Sequence, residues 1–349
     1  MSDPINPFLR LSCPLAILFA LAACSHPPAK TAPSGNALRT WESQPSYFKA
    51  KPKPGHYAGE FPAPPELEPA VNFWRKTYAQ WHRSQVAIHD DRYMDVVYEV
   101  IDLPGPVADS LSPEQKEFVS ERRAYWKDRL SALGMKRANG GALDNDDQLL
   151  ANLLKSNGPL QNILPGAADR VRSQRGMLER FRRGLEISTR YEQTFRKIFR
   201  QAGLPEDLAY LPHVESSFQT GAQSSAGAVG IWQFTRGAAE KFMRINAGVD
   251  ERYDPIASTY GAARYLRYAY DKLGTWPSAL TSYNHGINGM MRAHNQVGND
   301  FVRIVQEYDS PKFGFASRNY YAEFLAAREI ARNPEQYFAE AGNYGGSGD

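Results

Sequence analysis

Residues 211–234 read LPHVESSFQTGAQSSAGAVGIWQF, and two features of this stretch set the reading of the whole chain. A carboxylate, Glu215, closes an apolar run just after Pro212, and a loop of small residues and glycines then leads into Ile231, Trp232, Gln233 and Phe234. The overlapping stretch GLPEDLAYLPHVESSF, residues 203–218, predicts a helix starting near Pro205, a residue suited to a first helical position. Leu204, Leu208, Leu211 and Glu215 are spaced four, three and four apart, which places Glu215 on the stripe that faces a core. Desolvation there favours the neutral carboxyl and raises its pKa, so the group can serve as a general acid near neutral pH. The alternative is a helix-end glutamate paired with one of the many arginines. Pro212 is expected to bend or loosen the helix and turn the carboxylate toward a cleft.

The loop TGAQSSAGAVG, residues 220–230, supplies hydroxyls and glycines that let a ligand approach the backbone closely. Gln233 offers an amide that donates and accepts, and Trp232 a flat apolar face, a pairing that suits a sugar. Taken alone, Trp232 fits a core position better. Further on, PSALTSYNHGINGM (277–290) brings Tyr283 and Asn284 before Gly286, and SRNYYAEFLAAREI (317–330) opens a final helix with Tyr320 near its start.

Upstream of the central stretch the pattern is also helical. ELEPAVNFWRKTYAQWHRSQVAIHD (66–90) reads as helix, and SPEQKEFVSERRAYWKDRLSALG (112–134) opens on Ser112 as N-cap, Pro113 at the first position and Gln115 as capping partner, closing at Gly134. RANGGALDNDD, residues 137–147, marks a loop. Residues 170–200 predict one long basic helix with Leu178, Phe181 and Leu185 at helical spacing, its basic face interrupted by Glu179, Glu186 and Glu192. MDVVYEVI (94–101) is the best strand, so the body is expected to be mainly α.

The chain has 349 residues, 42% hydrophobic, 12% aromatic and 23% charged, which is globular composition with room for two domains beyond a leader. Residues 1–200 carry 28 Lys and Arg against 22 Asp and Glu, and residues 201–349 carry 13 against 16, so the net +3 belongs to the first part. With no zinc or RNA-binding pattern beside so small an excess, nucleic acid is not expected as a partner. The two cysteines, Cys13 and Cys24, both fall in or beside the apolar run LSCPLAILFALAA (11–23), so the folded body is expected to have no cysteine chemistry.

That run is too short to span a bilayer and reads as a signal peptide ending in Leu21, Ala22, Ala23 and Cys24. The junction resembles the bacterial lipoprotein box, in which lipid is attached to the cysteine; the alternative is ordinary secretion with an incidental cysteine. Acyl chains on Cys24 would anchor the mature chain to a membrane without spanning it. The Pro-, Lys-, Ala- and Ser-rich run that follows is a tether by composition. The expected organisation is a leader at 1–23, a tether at 24–69, a helical N-terminal region at 70–174, a second domain at 175–340 and a flexible tail at 341–349.

Residues 175–337 resemble the soluble-lytic-transglycosylase, goose-lysozyme-like domain of bacterial peptidoglycan enzymes, most closely the branch of membrane-bound lytic murein transglycosylase D. Four ordered motifs carry the resemblance: Glu215-Ser216; Gly230-Ile231-Trp232-Gln233; Ser282-Tyr283-Asn284-His285-Gly286, with Ser for the usual Ala; and Ala316-Ser317-Arg318-Asn319-Tyr320, with Ala where the family has Glu. The resemblance implies a mainly α, lysozyme-like catalytic domain that cleaves the β-1,4 bond between N-acetylmuramic acid (MurNAc) and N-acetylglucosamine (GlcNAc) without water and leaves 1,6-anhydro ends. It implies Glu215 as the single general acid and base, with Ser216, Ser224, Trp232, Gln233, Tyr283, Asn284 and Tyr320 about the sugar. It implies no cofactor and no metal, peptidoglycan strands as partner, and a place in the cell envelope, at the outer membrane facing the periplasm. Two rival functions stand beside this one. A hydrolytic muramidase would need a second carboxylate, for which Asp250, Glu251 and Asp254 are the candidates. A wall-binding lipoprotein without turnover would explain Ala316 and Ser282.

Overall fold

The computed structural model describes residues 61–338. The expected leader, Cys24, most of the expected tether and the tail at 341–349 lie outside the described residues. The chain runs through α1 (Glu68–Ala79), β1 (Gln85–Asp90), β2 (Val97–Asp102), α2 (Pro113–Ala138), α3 (Asn145–Lys155), α4 (Leu160–Ile163) and β3 (Val171–Arg175). There follow α5 (Leu178–Ser188), α6 (Glu192–Gln201), a 3-10 turn at Glu206–Tyr210, α7 (Leu211–Glu215) and α8 (Arg236–Ala239). A two-residue hairpin, β4 (Ile245–Asn246) and β5 (Val249–Asp250), precedes α9 (Pro255–Leu273), α10 (Trp276–His285), α11 (Ile287–Val297), α12 (Phe301–Glu307), α13 (Phe315–Arg332) and α14 (Pro334–Phe338). The fold is mainly α, as expected.

Two hydrophobic cores divide this order unevenly. One holds Val86, Ile88, Tyr98, Leu130, Leu133 and Leu154, packed between the sheet and the helices of residues 113–163. The sheet is antiparallel in the order β2-β1-β3, with Ile88 opposite Glu99 on one side and Ser173 on the other. The other core gathers most buried apolar side chains from α5 onward together with α1, whose Phe73, Trp74 and Tyr78 are buried in it, and also takes in Ala87 of β1 and Met94. Tyr78 packs 4.9 Å from the Phe181 ring, and Phe61, just before α1, packs edge-on at 5.0 Å against Phe324. Each buried aromatic of α1 contributes roughly 1.5–3 kcal/mol. The larger unit is therefore built from both ends of the described chain, with residues 82–175 inserted between α1 and α5.

Several local expectations change. The helix expected over 66–90 stops at Ala79, because the run Val86–Ile88 is buried within a sheet, an outcome that a short apolar run does not distinguish from helix. The single basic helix expected over 170–200 is instead β3, α5 and α6. Gly176 marks the first break: a Cβ there would lie 2.3 Å from the carbonyl oxygens of Trp81 and His82, so only glycine lets this crossing form. Ser112 and Gln115 form the expected capping box, but α2 runs through Gly134 and ends at Ala138, followed by Gly140 at φ 68°. The last nine residues of the expected tether, 61–69, are folded: Phe61 and Leu67 are buried and a 3-10 turn begins at Pro65.

Candidate active site

Leu204, Leu208 and Leu211 are buried as their spacing required, although the helix they were expected to share is split into a 3-10 turn and the five-residue α7. Pro212 sits in the first turn of α7, as its second residue, rather than kinking it, and its carbonyl accepts from Ser216 N at 3.0 Å and Phe218 N at 3.1 Å. Two backbone N–H donors on one carbonyl oxygen close the chain into a tight reversal. Ser217 and Phe218 consequently sit at φ 52° and 58°, and Gln233 at 48°; among the described residues these are the non-glycine residues with positive φ. All three belong to the turn after Glu215 or to the Trp232-Gln233 motif, and such backbone strain concentrates at functional sites. Gly184 on α5 admits the turn, since a Cβ there would lie 2.9 Å from Ser217 O. Arg180 pins it by donating from Nε to Ser217 Oγ and from Nη2 to Ser216 O.

Glu215 ends α7 partly exposed, with its Oε1 accepting a short hydrogen bond from Tyr320 Oη on α13. No cation pairs with it among the described residues. Burial pushes its pKa up from 4.5 to about 7, against the Tyr320 hydrogen bond, which favours the charged form. Tyr78, Tyr265, Tyr283 and Tyr320 all lie within electrostatic reach of Glu215, and all four phenols are pushed up, chiefly by burial. They stay neutral and can donate. His213, two residues before Glu215, is buried between Phe181 and Phe218, has neither ring nitrogen hydrogen-bonded and is driven down to about 3 by desolvation. It is a neutral packing group.

The motif residues divide into frame and face. Ser216 is buried and its Oγ donates to Ile231 O at 2.8 Å, tying the Glu215 turn to the glycine-rich loop. Trp232, expected at the sugar, is instead fully buried between Phe195 and Phe199 and donates from Nε1 to Thr259 Oγ1 at 2.8 Å. It serves the core, because the loop turns its ring inward. Tyr283 Oη donates to Trp232 O at 2.8 Å, and Gln233 Nε2 donates to Ala222 O and Gly230 O, so the amide nitrogen folds the loop and leaves Oε1 as the free end. Gly230, at φ 76°, lies so close to Arg252 that a Cβ would stand 2.1 Å from its carbonyl oxygen. Ser224 is half-buried, with its Oγ accepting from Ala228 N; Asn284 is exposed, with its Oδ1 accepting from Ser317 Oγ at 2.7 Å. Ser282 is buried and donates to Ala279 O, which accounts for Ser in place of the usual Ala.

The carboxylates considered as hydrolytic partners are engaged elsewhere. Asp250 pairs with Arg252 at 2.7 Å, Asp254 caps α9 through Ile256 N and Ala257 N, and buried Glu251 accepts from Arg244 N at 2.7 Å. Sequence reading missed Glu323, one turn beyond Tyr320 on α13, which accepts from Tyr78 Oη at 3.3 Å. Its burial and the nearby charge of Glu215 push it up to about 8, while the Tyr78 bond opposes the shift. The three-residue spacing from Tyr320 was a usable signal. Tyr78 had none, being separated from Glu323 by 245 positions along the chain.

Residues 194–302 match the profile of the Transglycosylase SLT domain family. The match includes Glu215, the glycine-rich loop and Tyr283-Asn284, and ends before Tyr320. Over 137 residues the chain is 35% identical to a putative tributyltin chloride resistance protein of Alteromonas sp. (strain M-1), covering 39% of this chain and 65% of that one. It is 27% identical over 140 residues to membrane-bound lytic murein transglycosylase D of Escherichia coli (strain K12), covering 40% and 30%. It is 28% identical over 166 residues to membrane-bound lytic murein transglycosylase F 2 of Alkalilimnicola ehrlichii, covering 44% and 36%. The chain thus spans less than two thirds of the length of each of these relatives. The resemblance to lytic transglycosylases holds over the matched stretch.

Proposed function

From a Transglycosylase SLT domain at residues 194–302, we propose that the chain is a peptidoglycan lytic transglycosylase that cleaves the MurNAc-GlcNAc β-1,4 bond and leaves 1,6-anhydro-MurNAc ends. The observation that carries this reading is Glu215: an unpaired, partly buried carboxyl, raised to about 7 and held by a neutral tyrosine. As a neutral acid it protonates the glycosidic oxygen while the C1–O bond breaks. The N-acetyl oxygen of the MurNAc stabilises the positive C1, the substrate-assisted exception to the two-carboxylate rule. The resulting carboxylate then takes the proton of the 6-hydroxyl as O6 closes on C1. Both reacting atoms belong to one sugar, so closure gains from proximity, and Glu215 ends the cycle protonated. Tyr320 orients the carboxyl and stabilises its charged phase. Ser224, Asn284 and Gln233 Oε1 are the polar groups offered to the glycan.

The commitment of Asp250, Glu251 and Asp254 to structural partners supports the non-hydrolytic course. Ala316 favours one other reading, a wall-binding protein without turnover. Cys24 is proposed as a lipid anchor that holds the chain at the bacterial envelope, at the outer membrane facing the periplasm; Cys24→Ser should abolish incorporation of labelled fatty acid. The deciding experiment is mass spectrometry of soluble products released from peptidoglycan by the chain without its first 24 residues, beside Glu215→Gln. Muropeptides one water lighter than hydrolysis products, absent with Glu215→Gln, are expected. Products carrying the added water would establish a hydrolase, and no products from the folded protein would favour the binding role.

A further inference from the structure

The surroundings of Glu215 contain a second carboxyl that the proposed reaction does not use. Glu323 follows Tyr320 by three residues on α13, and side chains at that spacing share a helix face. Tyr320 Oη rests on Glu215, so Glu323 stands beside the group that holds the proposed acid. Glu323 is partly buried, and its hydrogen bond comes from Tyr78 Oη, carried in on α1 and itself buried. Among the described residues no Arg, Lys or His forms an ion pair with Glu323 or with Glu215.

The groups facing this pair are few. α1 contributes Tyr78, α13 contributes Tyr320, α10 contributes Tyr283 and α9 contributes Tyr265, all neutral phenols. α5 contributes one cation, Arg180, which senses Tyr78 but spends Nε and Nη2 on Ser217 Oγ and Ser216 O. Two carboxyls in one poorly hydrated site without a cation cannot both ionise readily. Their protons leave in two steps that belong to the pair. Both are raised, and the charge of Glu215 is among the causes for Glu323.

We propose that Glu323 is a positioning residue for the reaction, forming with Glu215 a two-carboxyl unit that carries one negative charge and, by holding that charge in a share of the molecules, keeps the proton on Glu215. This rests on the reading of Glu215 as the acid. Each proton is lost to solvent, and no transfer between the two carboxyls during turnover is required. The consequence is an extended alkaline range, since some of the molecules that have lost one proton remain acid-competent. Gln at 323 keeps the shape and accepts the Tyr78 hydrogen bond but cannot take the charge. With Glu215 raised to about 7 and Glu323 to about 8, and a second charge that costs about one unit more, the acid-competent share at pH 8–9 falls about two- to fivefold when the partner is removed.

The test pairs a pH profile with a titration that does not depend on turnover. For Glu323→Gln, the ratio of kcat/KM at pH 8.5 to that at pH 5.5 is expected to fall about two- to fivefold relative to wild type. A purely structural role for Glu323 would scale all pH values alike and leave that ratio unchanged, which overturns the proposal. Tyr78→Phe removes a hydrogen bond to the charged form of Glu323 and should shift the ratio in the same direction by less. Infrared titration of the protonated carboxyl band in wild type, Glu215→Gln and Glu323→Gln reads the pair directly. The Glu323 midpoint should be raised in wild type and move down in Glu215→Gln. An ordinary carboxyl midpoint for Glu323, or no movement between the two proteins, overturns the proposal even if no variant turns over. Absence of turnover together with a coupled titration would instead fault the reading of Glu215 as a glycosidic acid.

Discussion

Glu215→Gln should remove turnover and, as pH rises, make the fold more stable than wild type. The folded carboxyl is raised from 4.5 to about 7, so wild type holds its full stability below about pH 4.5 and loses stability as pH rises through 7. At 1.36 kcal/mol per pH unit the 2.5-unit gap corresponds to about 3 kcal/mol, approached by pH 7–8, and to less than about 1 kcal/mol at pH 5. Partial exposure of Glu215 makes the first figure an upper bound. Gln keeps the shape and can still accept the Tyr320 hydrogen bond, so the acid-side comparison is nearly isosteric. Urea unfolding at half-unit steps from pH 5 to 8, with midpoint and slope followed for both proteins, measures the difference. A difference that does not change across this range refutes the raised pKa and, with it, the case for Glu215 as a neutral acid at pH 7.

Three further outcomes can be checked on the same protein. Tyr320→Phe removes a hydrogen bond to a charged group, worth about 1.5–3 kcal/mol; kcat/KM should fall by one to two orders of magnitude and its alkaline limb should move up in pH, since the bond favours the charged form of Glu215. Gly230→Ala forces a Cβ to 2.1 Å from Arg252 O at φ 76°, and circular dichroism melts should show a loss of more than about 2 kcal/mol. A chain beginning at residue 82, which lacks α1, uncovers the aromatic face of α13 and should elute as aggregate on size-exclusion chromatography, whereas a merely appended first helix would leave a soluble, cooperatively melting product.

The part of the site that was legible in the sequence was the part encoded locally. Leu204, Leu208 and Leu211 are buried and Glu215 partly so over twelve residues even though the element that carries them is half 3-10 turn, because the three-residue step from Leu208 to Leu211 is itself one full 3-10 turn. Trp232 was read with two possible roles, and only the direction of the loop decides for the core. Residues 85–90 and 171–175 looked helical because each is short and its partner strand is distant: β1 meets β3 across more than eighty positions, and no local period reports such a pairing. The same limit hid Tyr78 and the contribution of α1 to the larger core.

That α1 closes on α13 also governs the order in which the molecule can be completed. Residues 68–79 are synthesised some 240 positions before the helix that covers them, and the inserted unit at 82–175 can gather its own core in the interval. Until α13 emerges, Trp74 lacks its Phe315 neighbour and Tyr78 its Glu323 partner, so α1 is only partly covered. Contacts so distant in sequence are slow to form and leave apolar surface open meanwhile. The half-made chain is therefore the vulnerable species, and whatever shields it must act before α13 is released.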